Sequence, residues 1–155
     1  MGALLQNSIS DWRDGGNYLT INGHTIFYRD SGESDKPCLL LIHGFPTSSW
    51  DWIKLWPLLE DHYRLIAPDM LGFGFSDKPV NHEYSIHEQA DIIEAMVSEL
   101  KLTRFHVLAH DYGDTVAQEL LYRQNVGKGR GHWLSVCLLN GGLFPETHRA
   151  RLVQK

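Results

Sequence analysis

The stretch RFHVLAHDYGDTVAQELLYR, residues 104–123, decides the fold class. Its first seven residues form a largely apolar run of strand length, and its last nine carry apolar residues at helical spacing. A strand that passes through a tight turn directly into a helix is the repeating unit of an α/β protein. Asp111 lies at that turn, which raises the question of what a carboxylate does there.

The rest of the chain alternates between strand and helix patterns. Asn22-Gly23 is a turn pair that suits a two-residue loop, so YLTINGHTIFYRD predicts an antiparallel hairpin. Helices are predicted over SSWDWIKLWPLLE, interrupted at Pro57, and after a capping box formed by Ser85 and Glu88. Continuous apolar runs predict strands buried on both faces: PCLLLIHG, YRLIAPDMLG and WLSVCLLN. We therefore expect an α/β fold with a mostly parallel sheet flanked by helices.

Composition limits the classes of function. A chain of 155 residues with 43% apolar content can bury one globular core, and nothing in it approaches a membrane span. The net charge of −5 without a long basic run argues against nucleic acid and favours a small apolar organic substrate. Cys38 and Cys137 each lie in a predicted strand, which predicts two buried free thiols and a cytoplasmic location.

The residues that end the parallel strands are the natural place to look for chemistry, because ligands bind at the carboxyl ends of such strands. Ala109-His110-Asp111-Tyr112-Gly113 has small residues two before and two after Asp111, the pattern of a nucleophile elbow with Asp in place of Ser. An Asp that attacks a saturated carbon leaves an ester that water can cleave, whereas a Ser would leave an ether. The alternative is that Asp111 caps the following helix.

A second motif, HGFPTSSW at residues 43–50, favours the nucleophile over the cap. It follows an earlier buried strand, where a backbone N–H can contribute to an oxyanion hole, the other N–H coming from the residue after the nucleophile. The N–H groups of Phe45 and Tyr112 are therefore predicted to form the oxyanion hole. Pro46 is expected to fix the turn, through a cis bond to Phe45.

Five ordered segments of residues 18–155 resemble the epoxide hydrolase and haloalkane dehalogenase branch of the α/β-hydrolase superfamily. The segments are HGFPTSSWDW, PDMLGFGFSDKP, YSIHEQADIIEAM, HDYGDTVAQELLYR and LLNGGLFPETHR. The resemblance implies an α/β-hydrolase fold in which Asp111 is the nucleophile. It also implies supporting roles around the two motifs: His43, Gly44 and Pro46 in the oxyanion loop, and His110 and Gly113 at the elbow.

Two departures from that family bear on the substrate. Haloalkane dehalogenases typically have Asn after the His-Gly pair and Trp after the nucleophile, and both side chains donate to the departing halide. This chain has Phe45 and Tyr112 there, so the resemblance implies epoxide-type chemistry rather than dehalogenation. Asp114 stands where many relatives have Gly.

The family fold continues beyond the sixth strand into a helical lid, two more strands, a catalytic acid and a late His that activates water. The resemblance therefore implies that this chain is truncated before the lid and last strands. We expect an N-terminal segment (1–17), the N-terminal part of the hydrolase core (18–144) and the start of the lid (145–155). None of the nine histidines is expected to be the missing base.

Truncation would leave the strand WLSVCLLN with an open edge, which predicts self-association. It also keeps an alternative function open, that of a non-catalytic hydrolase-like fragment that binds a partner chain. No cofactor or metal is expected, because GFGFSD lacks the third Gly of a dinucleotide motif and no His or Cys spacing matches a metal site.

Overall fold

The computed structural model describes residues 8–32 and 35–142. The predicted start of the lid, residues 145–155, lies outside them. Among the described residues, one sheet has six strands: β1 (Asn17–Ile21), β2 (His24–Asp30), β3 (Cys38–Ile42), β4 (Arg64–Pro68), β5 (Arg104–His110) and β6 (His132–Leu139).

The sheet order is β1-β2-β4-β3-β5-β6. The pairs β3–β4, β3–β5 and β5–β6 are parallel, and β1–β2 and β2–β4 are antiparallel, so the predicted mostly parallel sheet is confirmed. The chain passes from β3 to β4 on one side and then returns to place β5 on the other side. The carboxyl ends of β3 and β5 therefore flank a topological switch point, where α/β sheets bind ligands.

The hairpin predicted at Asn22-Gly23 is confirmed. Both residues have positive φ, 51° and 82°, which is the backbone of the two-residue turn that matches strand twist. The turn is at the same end of the sheet as the carboxyl end of β4, because β2 runs antiparallel to β4.

The described helices lie on both faces of the sheet. They are α1 (Ile9–Asp14), a 3-10 helix (Ser49–Lys54), α2 (Trp56–Leu59), α3 (Ile86–Glu99) and α4 (Tyr112–Asn125). The predicted helix is interrupted near Pro57: the 3-10 helix ends at Lys54, and Pro57 lies in the first turn of the short α2, where its missing N–H is not needed. Ser85 caps α3 as predicted, its Oγ accepting from the N–H of Glu88 at 3.1 Å.

Side chains of β3 alternate between two apolar layers. Leu40 and Ile42 face the layer covered by α3 and α4, whereas Leu39 and Leu41 face the layer that contains Trp12 and the tryptophans of the 3-10 and α2 segment. Helix α1 was not predicted, yet Trp12 is fully buried and its Nε1 donates to Ser49 Oγ at 3.0 Å. Both faces of the central strand are thus packed, as its continuous apolar sequence requires.

One burial prediction is wrong. Both cysteines are free and Cys38 is buried, but Cys137 is exposed. It lies on β6, an outer strand of the described sheet, where alternate side chains have no helix packed against them. No helix within residues 8–32 and 35–142 is long and apolar enough to cross a membrane.

Candidate active site

Asp111 occupies the sharp turn between β5 and α4. Its backbone has φ 53° and ψ −117°, a conformation that costs a non-glycine residue on the order of 1–3 kcal/mol. Although Asp111 directly precedes α4, its side chain makes no capping hydrogen bond to that helix. The helix-cap interpretation therefore lacks the contact that would define it, and the carboxylate is directed elsewhere.

The Asp111 carboxylate contacts the turn that follows β3. The Phe45 N–H donates to Asp111 Oδ2 at 3.0 Å, and the Phe45–Pro46 peptide is cis, as expected from the sequence. Tyr112 supplies the first N–H of α4, one of those that have no acceptor inside a helix. Of the two backbone groups predicted to form an oxyanion hole, the Phe45 N–H contacts the carboxylate directly, and the Tyr112 N–H belongs to the residue that follows Asp111.

Two glycines allow this close approach. A Cβ on Gly44 would lie 2.7 Å from Asp111 Cβ, and a Cβ on Gly113 would lie 2.4 Å from the His43 carbonyl oxygen and 2.6 Å from that of Ile42. Real Cβ atoms do not approach other heavy atoms so closely. The small residues around the elbow are therefore needed for the contact between α4 and the end of β3.

His43 is fully buried and connects two segments. The Met70 N–H donates to its Nε2 at 3.0 Å, so the ring proton lies on Nδ1, which donates to the Gly44 carbonyl oxygen at 2.8 Å. Burial lowers the pKa of His43 below its ordinary value of 6.5. A neutral imidazole thus holds the start of the oxyanion turn against the segment after β4.

This arrangement predicts a pH dependence of stability. Because the folded pKa of His43 is depressed, the unfolded chain binds a proton more readily below pH 6.5. The contribution of His43 is present above that pH and is lost as pH falls, with a slope of up to about 1.4 kcal/mol per pH unit.

His43→Gln should flatten the loss of unfolding free energy between about pH 6.5 and pH 5, as measured by urea denaturation. The exposed His62→Gln is the matched control and should keep the wild-type slope. Equal slopes in all three proteins would show that His43 is not buried in its neutral form.

Asp114 affects the pH dependence in the opposite direction. Burial raises its pKa above 3.8, so its protonation at low pH favours the folded state.

Aromatic rings form one wall of the candidate site. Phe73 lies between His43, Phe45 and Tyr112, with ring centroids 5.3, 6.1 and 5.9 Å away respectively. Burial, and then the charge of Glu88, raises the pKa of Tyr112, which keeps its phenol neutral. Phe45 remains 39% exposed, so the carboxylate is beside an apolar surface that an organic molecule can reach.

His110 lies beside the oxyanion turn. Its Nδ1 would be 3.1 Å from a Cβ on Gly44, and its role in supporting the elbow stays a prediction.

Two buried aspartates organise the surroundings. Asp69 accepts from the Ser49 N–H at 2.7 Å and from the Phe75 N–H at 2.6 Å, so it connects two loops. Asp114 accepts from the Leu139 N–H at 3.3 Å, joining α4 to the end of β6. From the sequence, Asp114 is only a departure from relatives that have Gly there. No nearby residue pattern predicts its contact with Leu139.

Residues 37–129 match the family described as "alpha/beta hydrolase fold". This match covers more than half of the chain and includes both the oxyanion turn and the elbow. The chain belongs to the α/β-hydrolase family.

Within that family, the chain is 53% identical over 157 residues to the mesoderm-specific transcript homolog protein of Bos taurus, covering 97% of this chain and 47% of the relative. It is 40% identical over 152 residues to the putative hydrolase LipZ of Mycobacterium tuberculosis, covering 98% of this chain and 52% of LipZ. The chain therefore spans about half the length of the curated relatives it matches.

A solved structure shares the arrangement of the described strands and helices. The crystal structure of haloalkane dehalogenase DbeA from Bradyrhizobium elkani has a TM-score of 0.70 and 30% identity, over 81% of this chain and 41% of that one.

Proposed function

We propose that Asp111 is the nucleophile of a hydrolase that opens an epoxide or a similar alkyl electrophile through a covalent alkyl-enzyme ester. The single observation that carries this proposal is the 3.0 Å hydrogen bond from the Phe45 N–H to Asp111 Oδ2. It joins the two motifs across the switch point and aims a backbone donor at one carboxylate oxygen. A helix cap has no need of that contact.

The hydrogen bond distinguishes the two carboxylate oxygens. Oδ1 attacks an epoxide carbon, the C–O bond of the ring breaks, and the resulting alkoxide takes a proton from water. Oδ2 becomes the carbonyl oxygen of the ester, and it carries the negative charge when water later attacks the carbonyl carbon. The N–H groups of Phe45 and Tyr112 stabilise that oxyanion, a contribution of about 3 kcal/mol per donor in comparable sites.

The donors near Asp111 favour an epoxide over a haloalkane. A departing halide needs side-chain N–H groups, and the residues that follow the His-Gly pair and the nucleophile are Phe45 and Tyr112. Phe45 has no polar side-chain atom, and the phenol of Tyr112 is half-buried beside Phe73. An epoxide keeps its leaving oxygen attached to the substrate, where water can protonate it.

A reactive terminal epoxide tests the proposal. We expect the intact mass of the folded chain to rise by one substrate, because the alkylation half of the reaction needs only Asp111. Trypsin should place the added mass in residues 105–123, which follow Arg104 and end at Arg123. Fragment ions should assign it to Asp111, and mild base should release it, since an ester hydrolyses and an alkylated His does not.

A folded sample that gains no mass would contradict the proposal. That result would favour the second candidate function, a hydrolase-like unit that binds another chain. The position of β6 supports this candidate, because one side of the strand pairs with β5 and its other side pairs with no strand of the described residues. Self-association through that edge would be the simplest form of such binding.

A further inference from the structure

Three side chains that could bind a metal lie close together in the fold. They are His24 at the start of β2, His82 in the loop before α3, and Glu88 in the first turn of α3. One ligand atom of each lies within 4.8 Å of those of the other two. His82 Nε2 lies 2.9 and 2.8 Å from Glu88 Oε1 and Oε2 respectively. The ring centroids of His24 and His82 are 5.4 Å apart.

Hydrogen bonds outside the cluster fix the backbone segments that carry these side chains. The Asn22-Gly23 turn sets the start of β2, and next to His24 the Thr25 N–H donates to Asp77 Oδ2 at 2.6 Å. The Asp77 N–H donates back to the Thr25 carbonyl oxygen at 2.9 Å, which fastens the loop containing His82 to β2. Ser85 caps α3 and so fixes the first turn that carries Glu88. The cluster is therefore assembled by the fold.

We propose that His24, His82 and Glu88 form a binding site for a divalent transition metal of the Zn²⁺ type. Two imidazoles and one carboxylate are a common protein ligand set for Zn²⁺, with water in the fourth position. All three residues are partly buried, so a bound ion keeps access to that water. The Nε2 proton that His82 gives to Glu88 moves to Nδ1 on binding, which frees the Nε2 lone pair for the metal.

The metal-site proposal does not rest on the proposed hydrolase function, although the charge of Glu88 also acts on Tyr112. It would cross-link the β1–β2 hairpin to the loop before α3 and to α3 itself. It departs from the sequence expectation of no metal because its ligands come from three elements and have no compact spacing. The simpler interpretation is that His82 and Glu88 form only a hydrogen-bonded ion pair, with side chains 23% and 26% exposed. A pair of that kind does not require His24.

Titration of the chain with Zn²⁺ alone separates these interpretations. We expect one Zn²⁺ per chain and a rise in melting temperature. His24→Ala, His82→Ala and Glu88→Gln should each weaken binding at least about tenfold. Glu88→Gln keeps the side-chain size and the Ser85 cap, so it is the variant that best preserves the fold. His62→Ala, an exposed histidine outside the cluster, should bind like the wild type.

Co²⁺ gives a second readout that identifies the ligands. Binding at the cluster should produce d–d absorption without a sulfur-to-cobalt charge-transfer band, because neither cysteine takes part. The charge-transfer band would place the metal on Cys137, the exposed thiol, and overturn the proposal. So would the absence of Zn²⁺ binding by a chain shown to be folded by circular dichroism, or equal affinity in His24→Ala and the wild type.

Discussion

Asp111→Asn should abolish the epoxide adduct completely while leaving the elbow folded. An amide is a poor nucleophile toward a saturated carbon, so no ester can form. Asn has nearly the same shape as Asp and tolerates positive φ, so the backbone at φ 53° should persist. The Phe45 N–H can still donate to the amide oxygen. The measurement is intact mass after incubation with the terminal epoxide, together with the melting temperature of each protein.

Asp61→Asn is the matched control for nonspecific alkylation. Asp61 is an exposed carboxylate remote in sequence from both motifs, and its replacement should leave the single adduct unchanged. An Asp111→Asn chain that still gains one substrate would place the reactive group elsewhere and would remove Asp111 from the proposed role. A loss of the adduct in both variants would show that adduct formation does not depend specifically on Asp111.

The strand and helix order could be predicted because it is encoded locally. The Asn22-Gly23 turn, the apolar run that became β3, and the Ser85 cap each place their signal within a few residues of the structure they specify. The turn at Asp111 could be predicted in the same way, because a tight turn requires small residues close to it in the sequence. The sequence alone therefore predicts the α/β class, the hairpin and the sharp turn at Asp111.

Contacts between distant segments could not be predicted in the same way. The Asp69 carboxylate accepts hydrogen bonds from the N–H groups of Ser49 and Phe75. No spacing in the sequence predicts these contacts. The exposure of Cys137 depends on what packs against β6, whereas its apolar strand pattern predicted burial. The His24, His82 and Glu88 cluster has the same origin, because the topology alone brings the hairpin next to α3.

The strained elbow depends on this long-range packing. Asp111 holds an unfavourable backbone conformation, and the surrounding contacts must offset its cost. The Asp111 N–H donates to the Leu139 carbonyl oxygen at 3.0 Å, and the Phe45 N–H binds the side chain, so β6 and the oxyanion turn both restrain the residue. Positions that bring these elements together should therefore affect stability more strongly than their own small side chains would suggest.

Gly113→Ala should destabilise the fold by about 2–3 kcal/mol through this packing. Gly113 lies in the first turn of α4 without positive φ, so helix propensity alone would make Ala better by about 1 kcal/mol. The new Cβ, however, would lie 2.4 Å from the His43 carbonyl oxygen and 2.6 Å from that of Ile42. Both obstacles are backbone atoms, so α4 must move away from β3, and the steric cost exceeds the propensity gain.

Gly127→Ala provides the opposite case. A Cβ there meets nothing within 4 Å, but the residue has φ 73°, so we expect a loss of about 1 kcal/mol from backbone strain alone. Urea unfolding of the two variants compares crowding with strain. A Gly113→Ala chain as stable as the wild type would mean that α4 can move away from the end of β3 without a cost in free energy. The 3.0 Å contact between Phe45 and Asp111 would then have no rigid support.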